Sequence, residues 1–235
     1  MMRDEHILVD PVNERTLSLV IAAALYTLHP KAGVRVEHSL DDGLYCEFDN
    51  IRCDDALRAE MEAKVTEIID QKQRIERRYM DREAAAQLFA RAGMEDKAAN
   101  IRHSRDARCP IDRLCGLDDH VYGDLPPHAG ILPRVYVRQM MHGLWFGFHG
   151  SPKPQDKLLA VYDAFERWGR RLGINNVPQL NAAAKQEGID TLIAMSEAQI
   201  ERQLVKLADT IVSMQPLRRF VLISGPSSAG KTTFS

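Results

Sequence analysis

The sequence predicts an α+β protein: helices over an antiparallel sheet, then a helical connector, then the first strand and loop of an incomplete α/β domain. Three observations predict it. Several segments repeat apolar residues every three to four positions, as helices with one buried face do. Between them lie short β-rich runs punctuated by Gly, Pro and Asp. The chain closes on Phe220–Ile223, a continuous apolar run of the kind a strand buried on both faces requires, followed after Ser224 by GPSSAGKTTFS.

The elements follow in order. VNERTLSLVIAAALYTLHP carries Leu17, Val20, Ile21, Ala24, Leu25 and Leu28 at helical spacing and predicts a buried helix that stops before Pro30. VRVEHSL and GLYCEF, separated by Asp41, Asp42 and Gly43, predict a hairpin. From Asp55 to Tyr79 the stripe Leu57, Met61, Val65, Ile68, Lys72, Ile75 and Tyr79 predicts one long amphipathic helix. Asp81 is placed to cap a helix over REAAAQLFARA, which Gly93 ends, and EDKAANIRH predicts a short further one. HVYG, ILPRVYVRQM and LWFGFHG read as strands, and SPKPQ as a linker. Three helices are expected after it: one from Asp156, one from near Pro178, and one announced by a capping box at Ser196 and Gln199. The expected division is therefore 1–150, 151–215 and 216–235.

Composition narrows the function classes. The chain has 235 residues, 45% of them hydrophobic, and a formal net charge of −2, so it has no broad basic field to attract nucleic acid or an anionic membrane. LSLVIAAALY is too short for a secretory signal or a membrane span, which predicts a cytoplasmic protein without membrane partners. Cys46, Cys53, Cys109 and Cys115 form no C-x-x-C pair and are expected to be reduced thiols.

The sharpest chemical signal is G-x-x-x-x-G-K-[ST], met by Gly225, Gly230, Lys231 and Thr232. The glycines let successive backbone N–H groups turn into a concave anion site. Ser227, Ser228, Ala229, Gly230, Lys231, Thr232 and Thr233 would cradle the phosphates of ATP, with Lys231 on the transferred group and Thr232 binding Mg²⁺. A metal-binding acid and a general base are also required, so the expectation is the N-terminal part of a longer enzyme that is not catalytic by itself.

Three stretches carry resemblances. ADTIVSMQPLRRFVLISGPSSAGKTTFS resembles the entry into uridine kinase and phosphoribulokinase-type P-loop kinases. EHSLDDGLYCEF, with the helix after it and REAAAQLFARAG, is similar to the second additional domain of threonyl- and alanyl-tRNA synthetases. LLAVYDAFERWGRRLGINNVPQLNAAAKQEG resembles the connector of bacterial proteins that fuse the two. The kinase resemblance implies ATP, Mg²⁺ and a nucleoside acceptor such as uridine or cytidine, phosphorylated on the ribose 5′-hydroxyl.

The synthetase resemblance implies an editing cleft in which an H-x-x-x-H pair on the first helix faces a cysteine and a histidine from a later loop. The matching helix positions here are Arg15 and Leu19. Cys115 and His120 remain in CGLDDH, with one more intervening residue than the family pattern, and His38 is expected to line the same cleft unless it is satisfied at a strand end. A leucine neither binds metal nor moves a proton, so this set reads as a degenerate remnant. His142 and His149 flank an aromatic run in which Trp145, Phe146 and Phe148 are expected to pack rather than stack on bases. The alternative to a kinase is accordingly a non-catalytic module that recognises an RNA end or a small ligand.

Overall fold

A computed structural model describes residues 10–153, 155–185, 188–216, 220–225, 227 and 230. The chain divides at Leu172/Gly173 into two compact units. The class is mixed α+β with antiparallel sheets, as expected.

In the first unit, α1 (Pro11–Leu28) starts at Asp10, whose side chain accepts from the Val12 N–H, with Pro11 in the first turn, where no donor is needed. β1 (Gly33–Leu40) and β2 (Gly43–Asp49) form the expected hairpin. Its two linking residues are Asp41 and Asp42, Asp41 taking a left-handed φ of 56°, and Gly43 already belongs to the strand.

α2 (Asp55–Asp70) is capped by Asp54 and ends nine residues before the expected Tyr79. Lys72 turns left-handed at φ 49°, its N–H donating to Ile69 O at 2.9 Å while the Gln73 N–H reaches Ile68 O at 3.1 Å. This is a Schellman closure built on lysine. Lys72, Ile75 and Tyr79 mimic a continuing stripe, and no Gly or Pro marks the stop. The chain instead enters β3 (Glu76–Asp81), which pairs with a strand absent from the expectation, β4 (Arg108–Leu114). β4 contains Pro110 and a buried Asp112, which hide its alternation.

α3 (Arg82–Arg91) is capped by Asp81 as expected, and α4 (Glu95–His103) follows. These two helices cover one face of β3 and β4 through Ala85, Ala86, Phe89, Ile101, Cys109 and Ile111. β5 (Leu117–Asp119) completes a three-stranded sheet of order β3-β4-β5. HVYG, read from the sequence as a strand, is a loop, and Ile131–Pro133 lies outside any strand.

β6 (Tyr136–Met140) and β7 (Gly143–Gly147) close a four-stranded sheet of order β1-β2-β7-β6. Its inner face, Leu44, Cys46, Val137, Leu144 and Phe146, packs on α1 and α2. Its outer face, Leu40, Tyr45 and Trp145, packs against Leu159 and Tyr162 of α5 (Asp156–Leu172). Coverage on both sides explains why β7 reads GLWFG without a polar residue. The Trp145 indole donates to Leu40 O at 3.0 Å. Its ring lies so close over Gly43 and Gly147 that a Cβ at Gly147 would fall 2.0 Å from it.

In the second unit, α6 (Val177–Lys185) and α7 (Ile189–Ser213) have no buried residue. α7 begins seven residues before Ser196. The Ser196 hydroxyl donates to Leu192 O at 2.8 Å, a mid-helix bond rather than the expected cap. Phe220–Ile223 pairs with no strand among the described residues, and Phe220 and Leu222 are 87% and 94% exposed.

The core geometry makes one prediction. Gly147→Ala drives a methyl into the indole, so it should cost about 1–3 kcal/mol and move the Trp145 ring. A lowered urea midpoint with an altered near-UV circular dichroism signal checks this.

Candidate functional site

The positions matching the editing histidines lie on α1. Leu19 is 1% exposed and belongs to the main core. Arg15 is half-buried, and its Nε has no hydrogen-bond partner among the described residues. Its guanidinium sits against the loop after β5: a Cβ on Gly123 would lie 2.7 Å from Arg15 Nη1, and Gly123 itself has φ 91°.

That loop is pinned by one ion pair. Asp112 is fully buried, and Arg77 grips it with both prongs, Nε to Oδ1 at 2.7 Å and Nη2 to Oδ2 at 3.0 Å. The hydrogen bond to Asp112 raises the Arg77 pKa, against a smaller opposing effect of burial. The remaining donors of Arg77 reach Gly123 O at 2.7 Å and Val121 O at 3.2 Å, and the Val121 N–H reaches Asp112 Oδ2 at 3.3 Å. Sequence reasoning missed both partners. The available signal was an aspartate at an inward position of RCPIDRL, beside arginines.

Cys115 and Gly116 are the two central residues of the β4–β5 turn, with φ 49° and 85°, so the cysteine occupies a left-handed turn position. Its thiol packs against the core. Burial raises its pKa, with Lys64 opposing and Glu67 adding to the effect, which keeps it protonated at neutral pH and a poor nucleophile. His120 Nδ1 donates to Pro110 O at 2.8 Å, and the ring meets Tyr122 edge-on with centroids 4.5 Å apart. The imidazole is held by backbone, and Tyr122 is 67% exposed.

The structure therefore brings Arg15, Arg77, His120 and the loop 121–123 together, with Cys115 at the neighbouring turn. His38 is elsewhere. It lies on the outer face of the four-stranded sheet, opposite α1, stacked on Tyr162 at 3.8 Å and facing Tyr45 at 6.4 Å. The cavity beside it is only about 10 Å³, room for a single water at most. His142 approaches Asp163 at 3.9 Å, and His149 bonds Asp42. Trp145 and Phe146 are fully buried. Among the described residues no three His, Cys, Asp or Glu side chains gather to hold a metal ion.

Of the phosphate-loop residues, Gly225, Ser227 and Gly230 are described, Gly230 with a left-handed φ of 73°. Ser228, Ala229, Lys231, Thr232 and Thr233 lie outside the described residues. No described helix is long and apolar enough to cross a membrane.

No family model matches the chain. It is 35% identical over 101 residues to the threonine–tRNA ligase of Paramagnetospirillum magneticum, covering 42% of this chain and 15% of that enzyme. Over 171 residues it is 28% identical to the threonine–tRNA ligase of Halorhodospira halophila, 66% of this chain and 27% of that enzyme. Over the same length it is 27% identical to that of Nitrosococcus oceani, covering 66% of this chain and 26% of the enzyme. The chain thus spans between about a seventh and about a quarter of the length of these curated relatives, and it contains a threonyl-tRNA synthetase-like region.

Proposed function

We propose that this region is a binding module derived from a tRNA-editing domain, which recognises an RNA end and no longer hydrolyses it. The observation that carries the reading is the pair Arg15 and Leu19 at the positions where the resembling domain has two histidines. One is a fixed cation and the other is part of the core. Neither accepts a proton at neutral pH, and the nearby cysteine is held as the thiol. Hydrolysis needs a base or a metal to activate water, and the arrangement offers neither role to these residues. The loop over α1 keeps the exposed ring and the cations that binding uses.

The motif from Gly225 to Thr232 favours a second, compatible activity for the protein that carries this module. In this reading a uridine kinase-type phosphotransferase moves the γ-phosphoryl group of ATP to a ribose 5′-hydroxyl. Lys231 would neutralise charge on the transferred group, and Thr232 would hold Mg²⁺.

Two outcomes are expected. Mischarged tRNA incubated with the protein should lose its amino acid at the spontaneous rate, while filter binding detects a complex that weakens as salt rises. Deacylation well above background, or no complex at any salt concentration, would overturn the module reading. The natural gene product should phosphorylate uridine or cytidine, and Lys231→Ala should lower that rate by roughly 100-fold or more. A product indifferent to that substitution removes the kinase reading.

A further inference from the structure

We infer that the cavity where the linker enters α5 binds a small primary amine carried on an apolar ring. The inference goes beyond the binding-module reading, because this cavity lies on the outer face of the four-stranded sheet, away from α1.

The argument begins with size and lining. The cavity measures about 220 Å³, and its apolar wall is Leu40 at the end of β1, Met140 at the end of β6 and Leu159 in the first turn of α5. Leu40 is 2% exposed and belongs to the cluster built on Tyr45 and Trp145, so this wall is fixed by the sheet rather than shaped by a mobile side chain. An apolar cavity of about 150 Å³ already takes up benzene, so this one admits a single ring with a short substituent and little more. Met140 suits such a guest, since its thioether is adaptable and makes favourable contacts with aromatic edges. A mostly apolar concavity with a few polar groups at its lip is the usual form of a small-molecule site.

The second observation is the charge at that lip, where Lys153 and Asp156 stand with the neutral Gln155 between them in sequence. Lys153 is already answered. Its N–H donates to Asp41 Oδ2 at 3.2 Å and its ammonium lies 3.7 Å from Asp41 Oδ1, which ties this side of the cavity to the β1–β2 turn. Asp156 makes no ion pair and no hydrogen bond among the described residues, and the neighbouring Lys157 does not line the cavity. The N-terminus of α5 keeps the Asp156 carboxylate ionised. One negative charge is therefore left over beside an apolar wall. A carboxylate ligand meets Asp156 with the only lining cation engaged elsewhere, and an uncharged ring leaves the charge unused. An ammonium on an apolar body uses both surfaces, the charge through hydrogen bonds from its N–H groups and the wall through its ring.

The test is methyl-labelled NMR of the full chain titrated with benzylamine, benzyl alcohol and benzoate. Benzylamine, protonated at neutral pH, should shift the methyl signals of Leu40, Met140 and Leu159 saturably at millimolar concentration or below. It should bind about threefold more tightly than benzyl alcohol and about tenfold more tightly than benzoate, the range an exposed ion pair supports. Asp156→Asn should bring benzylamine down to the affinity of benzyl alcohol, whereas Asp156→Glu should keep the preference. Lys153→Gln should leave benzylamine binding undiminished. Met140→Trp, which fills the space, should remove the shifts at Leu40 and Leu159 for all three probes in a protein still folded by circular dichroism; where that variant does not fold, the Asp156→Asn comparison decides. Absence of saturable shifts overturns the inference, as do shifts centred on the α1 methyls such as Leu19. An affinity for benzoate equal to that for benzylamine, or a benzylamine preference that survives Asp156→Asn, overturns it as well.

Discussion

One carboxylate organises the loop that lies against α1. Asp112 is completely buried, and a buried charge persists only where a partner and further hydrogen bonds compensate its lost hydration. Arg77 supplies both prongs, tying β3 to β4. The same guanidinium then extends to the carbonyls of Val121 and Gly123, and Asp112 accepts from the Val121 N–H. The position of the loop over α1 therefore follows from the pairing of two strands. His120, Tyr122 and the contact with Arg15 all inherit their geometry from it, and satisfied networks of this kind fix one arrangement rather than several.

The four-stranded sheet imposes a second constraint. Because α1 and α2 cover its inner face and α5 its outer face, every residue of β7 is buried. Outward-facing side chains are consequently committed to holding α5. His38 stacks on Tyr162, and His142 faces Asp163 at 3.9 Å. The chemically suggestive histidines of this strand pair thus serve packing on the side of the sheet away from α1. The first helix after the linker is continuous with the synthetase-like fold by contact, although in sequence it reads as the start of a connector.

Much of this was legible in the sequence where a local rule decides the outcome. The α1 stripe, the Asp41–Gly43 hairpin, the Asp81 cap and the packed role of Trp145 each follow from periodicity, turn chemistry or burial of aromatic surface. The failures share a cause. Lys72 closes α2 in a left-handed conformation normally left to glycine, so no residue type announced the stop, and a false stripe through Ile75 and Tyr79 concealed β3. β4 was invisible because its inward positions include an aspartate whose burial makes sense only once Arg77 lies beside it. Ser196 matched a capping pattern, yet its hydroxyl is satisfied within the helix. Of the candidate cleft, Cys115 and His120 were named through the resemblance, although one more residue separates them than its pattern has. The loop geometry was not, because it depends on partners 35 to 46 residues apart in sequence.

The two α1 residues at the positions of the resembling domain's histidine pair act on stability in opposite directions. Leu19 is absorbed into the core, where burying such a side chain contributes about 1.5–3 kcal/mol. A histidine there would carry a polar ring into the same apolar surroundings, which is costly without a hydrogen-bond partner. Arg15 does the reverse. Its Nε is withdrawn from water without a protein acceptor, an arrangement that costs stability in the free molecule. Natural cores seldom retain such a group unless something offsets it. The protein supplies no such group among the described residues, and the position opens onto a loop fixed in place by Asp112. A core leucine and a cation whose buried Nε has no partner among the described residues thus stand one helical turn apart on α1, the first contributing to the fold and the second costing it.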